Sequence, residues 1–197
     1  MLFRSQHSHR LILSVVSCSL VASLAACGDD PVSYSQPVTI NLKAKSADVA
    51  NNVVADEKSI TSENSNPYGK FVNDARAAIG KDPSRIALED ATLTLGANST
   101  GVITLGEVFT GATEVNFTTN DTNNTYPAAS GVIAATAGSG PLALTTAFST
   151  DPLSTTDFAK LLGGSFKIGI RGPASVGFAG KGADADIQVT LTFSAFE

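Results

Sequence analysis

The chain has 197 residues, 43% of them hydrophobic and 7% aromatic, with 13 Lys and Arg against 18 Asp and Glu for a net charge of −5. The length suits one domain, and the acidic balance with scattered cations excludes a nucleic-acid surface, which needs clustered basic side chains. His7 and His9 are the only histidines and Cys18 and Cys27 the only cysteines, so everything after Cys27 lacks both imidazole and thiol. That excludes Ser-His-Asp and Cys-His catalysis and histidine-ligated zinc in this part of the chain.

At the start, Arg4 and Arg10 precede an apolar stretch from Leu11 to Leu24. It is shorter than the roughly 20 apolar residues of a good spanning helix and fits a targeting segment. It ends in Leu24-Ala25-Ala26-Cys27, directly before Gly28-Asp29-Asp30. These residues resemble the signal and lipobox of bacterial lipoproteins; an ordinary secretory signal cut near Ala26, or a short uncleaved anchor, is the competing reading. The resemblance implies a signal peptide over 1–26, a diacylglycerol on the Cys27 sulfur and an acylated amino group. Two or more acyl chains give stable anchoring, at about 0.8 kcal/mol per buried CH₂. The mature protein then sits on a membrane without spanning it. Cys18 leaves with the signal and Cys27 carries lipid, so no internal disulfide forms. Loss of Arg4 and Arg10 leaves 11 cations against 18 anions, a net −7. Gly28, in place of the Asp linked to inner-membrane retention, implies the outer membrane by the same resemblance.

Residues 27–37 read as the lipidated Cys and a flexible tether, with Pro31, Pro37 and several Ser, and residues 38–197 as the domain. Val38, Ile40 and Leu42 alternate with polar residues as in a half-buried strand. Ser46 to Asn66 reads as a polar excursion with at most one short strand. Asn66-Pro67 opens a helix as N-cap and first position, Phe71, Ala75, Ala78 and Ile79 share its apolar face, and Gly80 stops it. Beyond Pro83 the pattern is β. Ile86 and Leu88 have the opposite parity to Ala91, Leu93 and Leu95, which predicts a bulge at Glu89-Asp90. Further strands are expected over 101–108, 113–119, 131–135, 142–148, 165–171 and 185–195. Ser154 or Thr155 caps a short helix with Phe158, Leu161 and Leu162 on one face. The expected fold is all-β, an antiparallel β-sandwich of immunoglobulin-like or jelly-roll type with two short accessory helices; an α+β arrangement is the alternative.

Catalytic signatures are missing. There is no Ser-x-x-Lys, and Gly180-Lys181-Gly182 lacks the rest of a phosphate loop and reads as a turn. Asp184 and Asp186, two apart on a strand, put their carboxylates on one face about 7 Å apart. With no Trp to wall a sugar cleft, they read as a solvated edge rather than a glycosidase pair, with a surface calcium site as the other alternative. Asn120-Asp121-Thr122-Asn123-Asn124 offers oxygens but lacks the glycine and glutamate of an EF-hand loop. No metal or cofactor is expected. Tyr126 is placed on a variable tip, so Asp121, Asn123, Asn124 and Tyr126 form the candidate partner-binding loop. The expected function is a non-enzymatic envelope lipoprotein that binds or scaffolds an envelope protein or glycan. A carbohydrate or small-ligand module and a carboxylate-only hydrolase are the alternatives.

Overall fold

The computed structural model describes residues 32–197. The signal peptide, the lipobox with Cys27, and Gly28 to Pro31 of the tether lie outside the described residues. Eight strands follow: β1 (Ser33–Lys45), β2 (Val53–Ile60), β3 (Arg85–Leu95), β4 (Gly111–Thr119), β5 (Thr125–Ile133), β6 (Leu142–Thr146), β7 (Phe166–Pro173) and β8 (Asp184–Phe196). Helix α1 (Pro67–Ile79) joins β2 to β3, and α2 (Thr155–Leu162) joins β6 to β7. The strands form one sheet in the order β1-β8-β3-β6-β5-β4-β7-β2, paired antiparallel throughout. The chain is therefore all-β with two short helices, built as a single, nearly closed eight-stranded sheet.

The two edge strands lie side by side but share no backbone ladder; the Lys43 N–H instead donates to the Asp56 carboxylate at 2.6 Å. On β2, Val54 and Ile60 are buried, yet the positions of the same parity between them are Asp56 and Lys58. Pro37 on β1 shares the parity of Lys43, so it brings no N–H to the seam. Charged residues at these edge positions and a proline are what keep an edge from pairing further.

Alternation drives most of the rest. Val38, Ile40, Leu42 and Ala44 of β1 and Ile187, Val189, Leu191 and Phe193 of β8 are all buried. The predicted parity change in β3 is a register shift against β8 between Leu88 and Asp90, which returns both apolar sets to the core. Rings from opposite parts of the sheet meet there, Phe117 of β4 stacking on Phe193 of β8 at 5.9 Å. Burying each such ring stabilises the fold by about 1.5–3 kcal/mol.

Both helices cap one pole, where β1, β3, β5 and β7 begin. The Asn66 side chain accepts from the Tyr68 N–H at 3.0 Å, and Gly80, at φ 82°, ends α1 in the left-handed conformation expected of a C-terminal glycine. Tyr68, Phe71, Val72 and Ala75 form its buried face. Tyr68 meets Phe166 at 4.9 Å and Phe193 at 5.1 Å, both edge-on. Ala78, expected on this face, is exposed because the buried stripe ends one turn earlier.

Four further expectations are corrected. The tether was expected to run to Pro37, but β1 already begins at Ser33, paired with Phe196. The polar stretch after Ser46 contains a full strand, β2, whose weak alternation reflects its place at the seam. Residues 101–108 form a loop with a 3-10 turn at Leu105–Glu107 rather than a strand. Glu107 accepts from the N–H groups of Ile103 and Thr104 at 2.7 and 3.2 Å, while the Thr104 hydroxyl accepts from the Glu107 N–H at 3.3 Å. This reciprocal cap satisfies locally the donors that a ladder would use. Finally, residues 125–130 belong to β5, so Tyr126 lies on a strand and not on a loop tip.

Candidate functional site

The turn from Asn120 to Asn124 joins β4 to β5 at the helix-capped pole. Asp121 and Asn123 sit at φ 65° and 54°, the left-handed region that Asn and Asp tolerate best. Both side chains are exposed. The other two predicted contact residues turn toward α2. There Asp157, only 1% exposed, accepts from the Tyr126 hydroxyl at 2.7 Å, the Asn124 amide at 2.8 Å and the Thr122 hydroxyl at 2.8 Å. Ser154 caps the helix by accepting from the Asp157 N–H at 3.1 Å.

Those donors, the Tyr126 hydroxyl foremost and then Asn124 and Thr122, hold the Asp157 carboxyl well below the usual carboxylate range. The same bond retains the Tyr126 proton and pushes that phenol up. Lys160 adds a second tie from α2. Its ammonium donates to the Asn120 carbonyl and stands 3.8 Å from the Asp121 carboxylate. The arrangement is a clasp fixing the turn to the helix. It leaves Asp121 and Asn123 as the outward-facing pair. Asp157 was not foreseen; its one sequence signal is a carboxylate three residues after an N-cap serine.

Asp184 and Asp186 lie at the opposite pole, flanking the Lys43 ammonium at 3.9 and 3.8 Å. The expectation of a solvated edge fails for Asp186, which is 6% exposed. The Gly96 to Ser99 turn covers it: the Gly96 N–H donates to the Asp186 carbonyl at 2.7 Å, and Ser99 accepts from the Asp186 N–H at 3.0 Å. A Cβ on Gly96 would fall 2.5 Å from an Asp186 carboxylate oxygen, so a larger residue here would have to push that carboxylate aside. Two carboxylates sharing one lysine form an ion-pair group. Glu89, at the bulge, accepts from Ser35 at 3.2 Å, and Lys181 of the glycine-flanked turn pairs with Glu107 at 3.4 Å. Among the described residues no group of three His, Cys, Asp or Glu side chains is arranged to hold a metal. No helix among them is long and apolar enough to cross a membrane.

The outer face of β2, β7 and β4 carries a groove of about 500 Å³ that sequence reasoning missed. Its floor is Gly169 and Ala55, and Glu57, Asn116, Thr118 and Arg171 line its walls. Register explains the grouping: Gly169 pairs with Glu57 on one side and Asn116 on the other, and Arg171 with Ala55 and Glu114. The available signal was a glycine inside an otherwise regular Phe166, Ile168, Ile170 alternation.

No protein-family model matches the chain, and a search of curated proteins finds no significant match.

Proposed function

We propose that the chain is an envelope lipoprotein, held on a membrane by acyl chains on Cys27, whose β domain binds or scaffolds another envelope component without catalysing a reaction. The observation that carries this reading is the Leu24-Ala25-Ala26-Cys27 sequence behind a short apolar run. Five residues separate Cys27 from Ser33, six steps of the chain that span at most about 22 Å when extended. A tether this short keeps the anchored domain near the bilayer. Gly28 after the Cys favours the outer membrane. The non-enzymatic part rests on side-chain inventory and geometry, since the domain offers no imidazole or thiol and its Asp184–Asp186 pair is taken up by Lys43.

We also infer a flattened, sandwich-like cross-section for the sheet. β6 supports this by pairing with β3 through Leu142 to Leu144 and with β5 through Thr145 and Thr146, as a strand does at a corner between two layers.

Cys27→Ser tests the anchor. The wild-type chain, expressed with a labelled fatty acid, should carry label and sediment with membranes, and the variant should lose both. Label retained by Cys27→Ser would overturn the reading.

A further inference from the structure

We propose that the groove across β2, β7 and β4 is a saccharide site that takes a neutral, polyhydroxylated ligand. This deepens the reading of the domain as a binding module and is independent of the lipid on Cys27. The first argument is Gly169. Glycine inside a strand weakens it, and often marks a place where a ligand comes close to the backbone. The other glycines within β5 and β7 have a packing reason: a Cβ on Gly131 would lie 2.7 Å from Leu144, and one on Gly172 would lie 2.5 Å from Thr113. Gly169 has none. A Cβ there would meet only the Asp56 carbonyl at 3.5 Å and Glu57 at 3.7 Å, ordinary contacts, and its backbone needs no left-handed angle. Its missing side chain serves the groove and not the fold.

The second argument is chemical. The walls carry an amide at Asn116, hydroxyls at Thr118 and Thr125, a carboxylate at Glu57 and a guanidinium at Arg171. Hydroxyl groups both donate and accept, so a row of them is matched by such a mixture of donors and acceptors. An ion would need one sign to dominate. Here Lys167 pairs with Glu57, and Arg171 stands beside Glu114, its register partner, without forming an ion pair or hydrogen bond among the described residues. Arg171 is thus free to donate to ligand oxygens. Arg171 also lines two adjoining hollows of about 300 and 260 Å³, which gives room for more than one sugar ring. The volume lies in the range of small-ligand sites. With no aromatic side chain in the lining, affinity rests on hydrogen bonds alone and the dissociation constant should be on the order of 1 mM.

The experiment uses the full chain in detergent micelles, titrated with maltotetraose, cellotetraose and chitotetraose as neutral probes and tetragalacturonate as the anionic one. Binding is read by saturation-transfer NMR and calorimetry. The expected result is saturable binding of at least one neutral probe, recovered uncleaved. Gly169→Val should weaken it at least tenfold while Tm holds or rises, and Asn116→Ala should weaken it at unchanged Tm. No neutral binding, preference for the anionic probe, or unchanged binding in both variants would overturn the proposal. Acylation of Cys27 is measured on the same preparation. Acylated protein that binds no saccharide refutes the groove alone, binding by unacylated protein refutes the anchor alone, and cleavage of a probe refutes the non-enzymatic reading.

Discussion

Tyr68 sits at the centre of the helix-capped pole with its ring fully buried against Phe71, Phe166 and Phe193. Its hydroxyl has no hydrogen-bond partner among the described residues. Burying an unpaired hydroxyl costs about 1–3 kcal/mol in protein mutational data. Tyr68→Phe keeps every ring contact and removes that cost, less a small loss for the space the oxygen filled. The net expectation is a gain of about 1 kcal/mol, or about 2–4 °C in Tm for a domain of this size. Burial also pushes the phenol far above its ordinary value. With the folded value raised, the stability tied to this proton is complete below the unfolded tyrosine range near pH 10 and is lost as pH climbs above it. The variant has no such loss, so its advantage should be constant from pH 6 to 9 and widen above pH 10. Thermal unfolding by circular dichroism across that range is the assay. A variant less stable than wild type by 0.5 kcal/mol or more, a figure on the scale of ordinary surface changes, would refute the reasoning by showing that the hydroxyl is bonded in the native state.

Three other outcomes follow from the same structure. Leu191→Ala, in the middle of β8 and fully buried, should cost about 2–5 kcal/mol in denaturant unfolding. Thr190→Ala on the opposite face, where the hydroxyl meets only that of Thr39, should stay near 0.5 kcal/mol, the usual scale of surface changes; equal costs would mean the faces are reversed. Asp157→Asn should lower Tm, because it turns an amide donor toward the donors of Tyr126, Asn124 and Thr122, and should speed hydrogen exchange in the Asn120–Asn124 turn. The folded Asp157 carboxyl is depressed, so its contribution is complete above the unfolded carboxylate range near pH 4 and is lost only as pH falls through the lower folded value. An acid titration should therefore show wild type and Asp157→Asn converging well below pH 4, and convergence near neutrality would contradict the clasp.

Where a local rule acts on adjacent residues, the sequence determined the outcome by itself. Asn66-Pro67 and Gly80 bound α1, Ser154 starts α2, the parity change at Glu89-Asp90 forces a bulge, and the regular alternation of Ile187 to Phe193 makes β8 a buried strand. Each depends on backbone geometry and side-chain period within a few residues. Only tertiary structure decided the rest. β2 was hidden because Asp56 and Lys58 occupy its inward parity, and they are tolerated only because this strand ends up at an unclosed seam. Residues 101–108 have strand-like composition, but the Thr104–Glu107 cap and the neighbouring loops claim their backbone groups. Tyr126 and Asn124 looked like free contact residues until a carboxylate more than thirty positions away, Asp157, took their hydrogen bonds. Asp184 and Asp186 looked solvated until the Gly96–Ser99 turn folded over one of them. The groove over Gly169 exists because β2 and β4 flank β7, a neighbourhood set by a strand order in which all three are distant in sequence. Period and capping are properties of a short segment, whereas which segments become neighbours depends on the lowest free energy of the whole sheet.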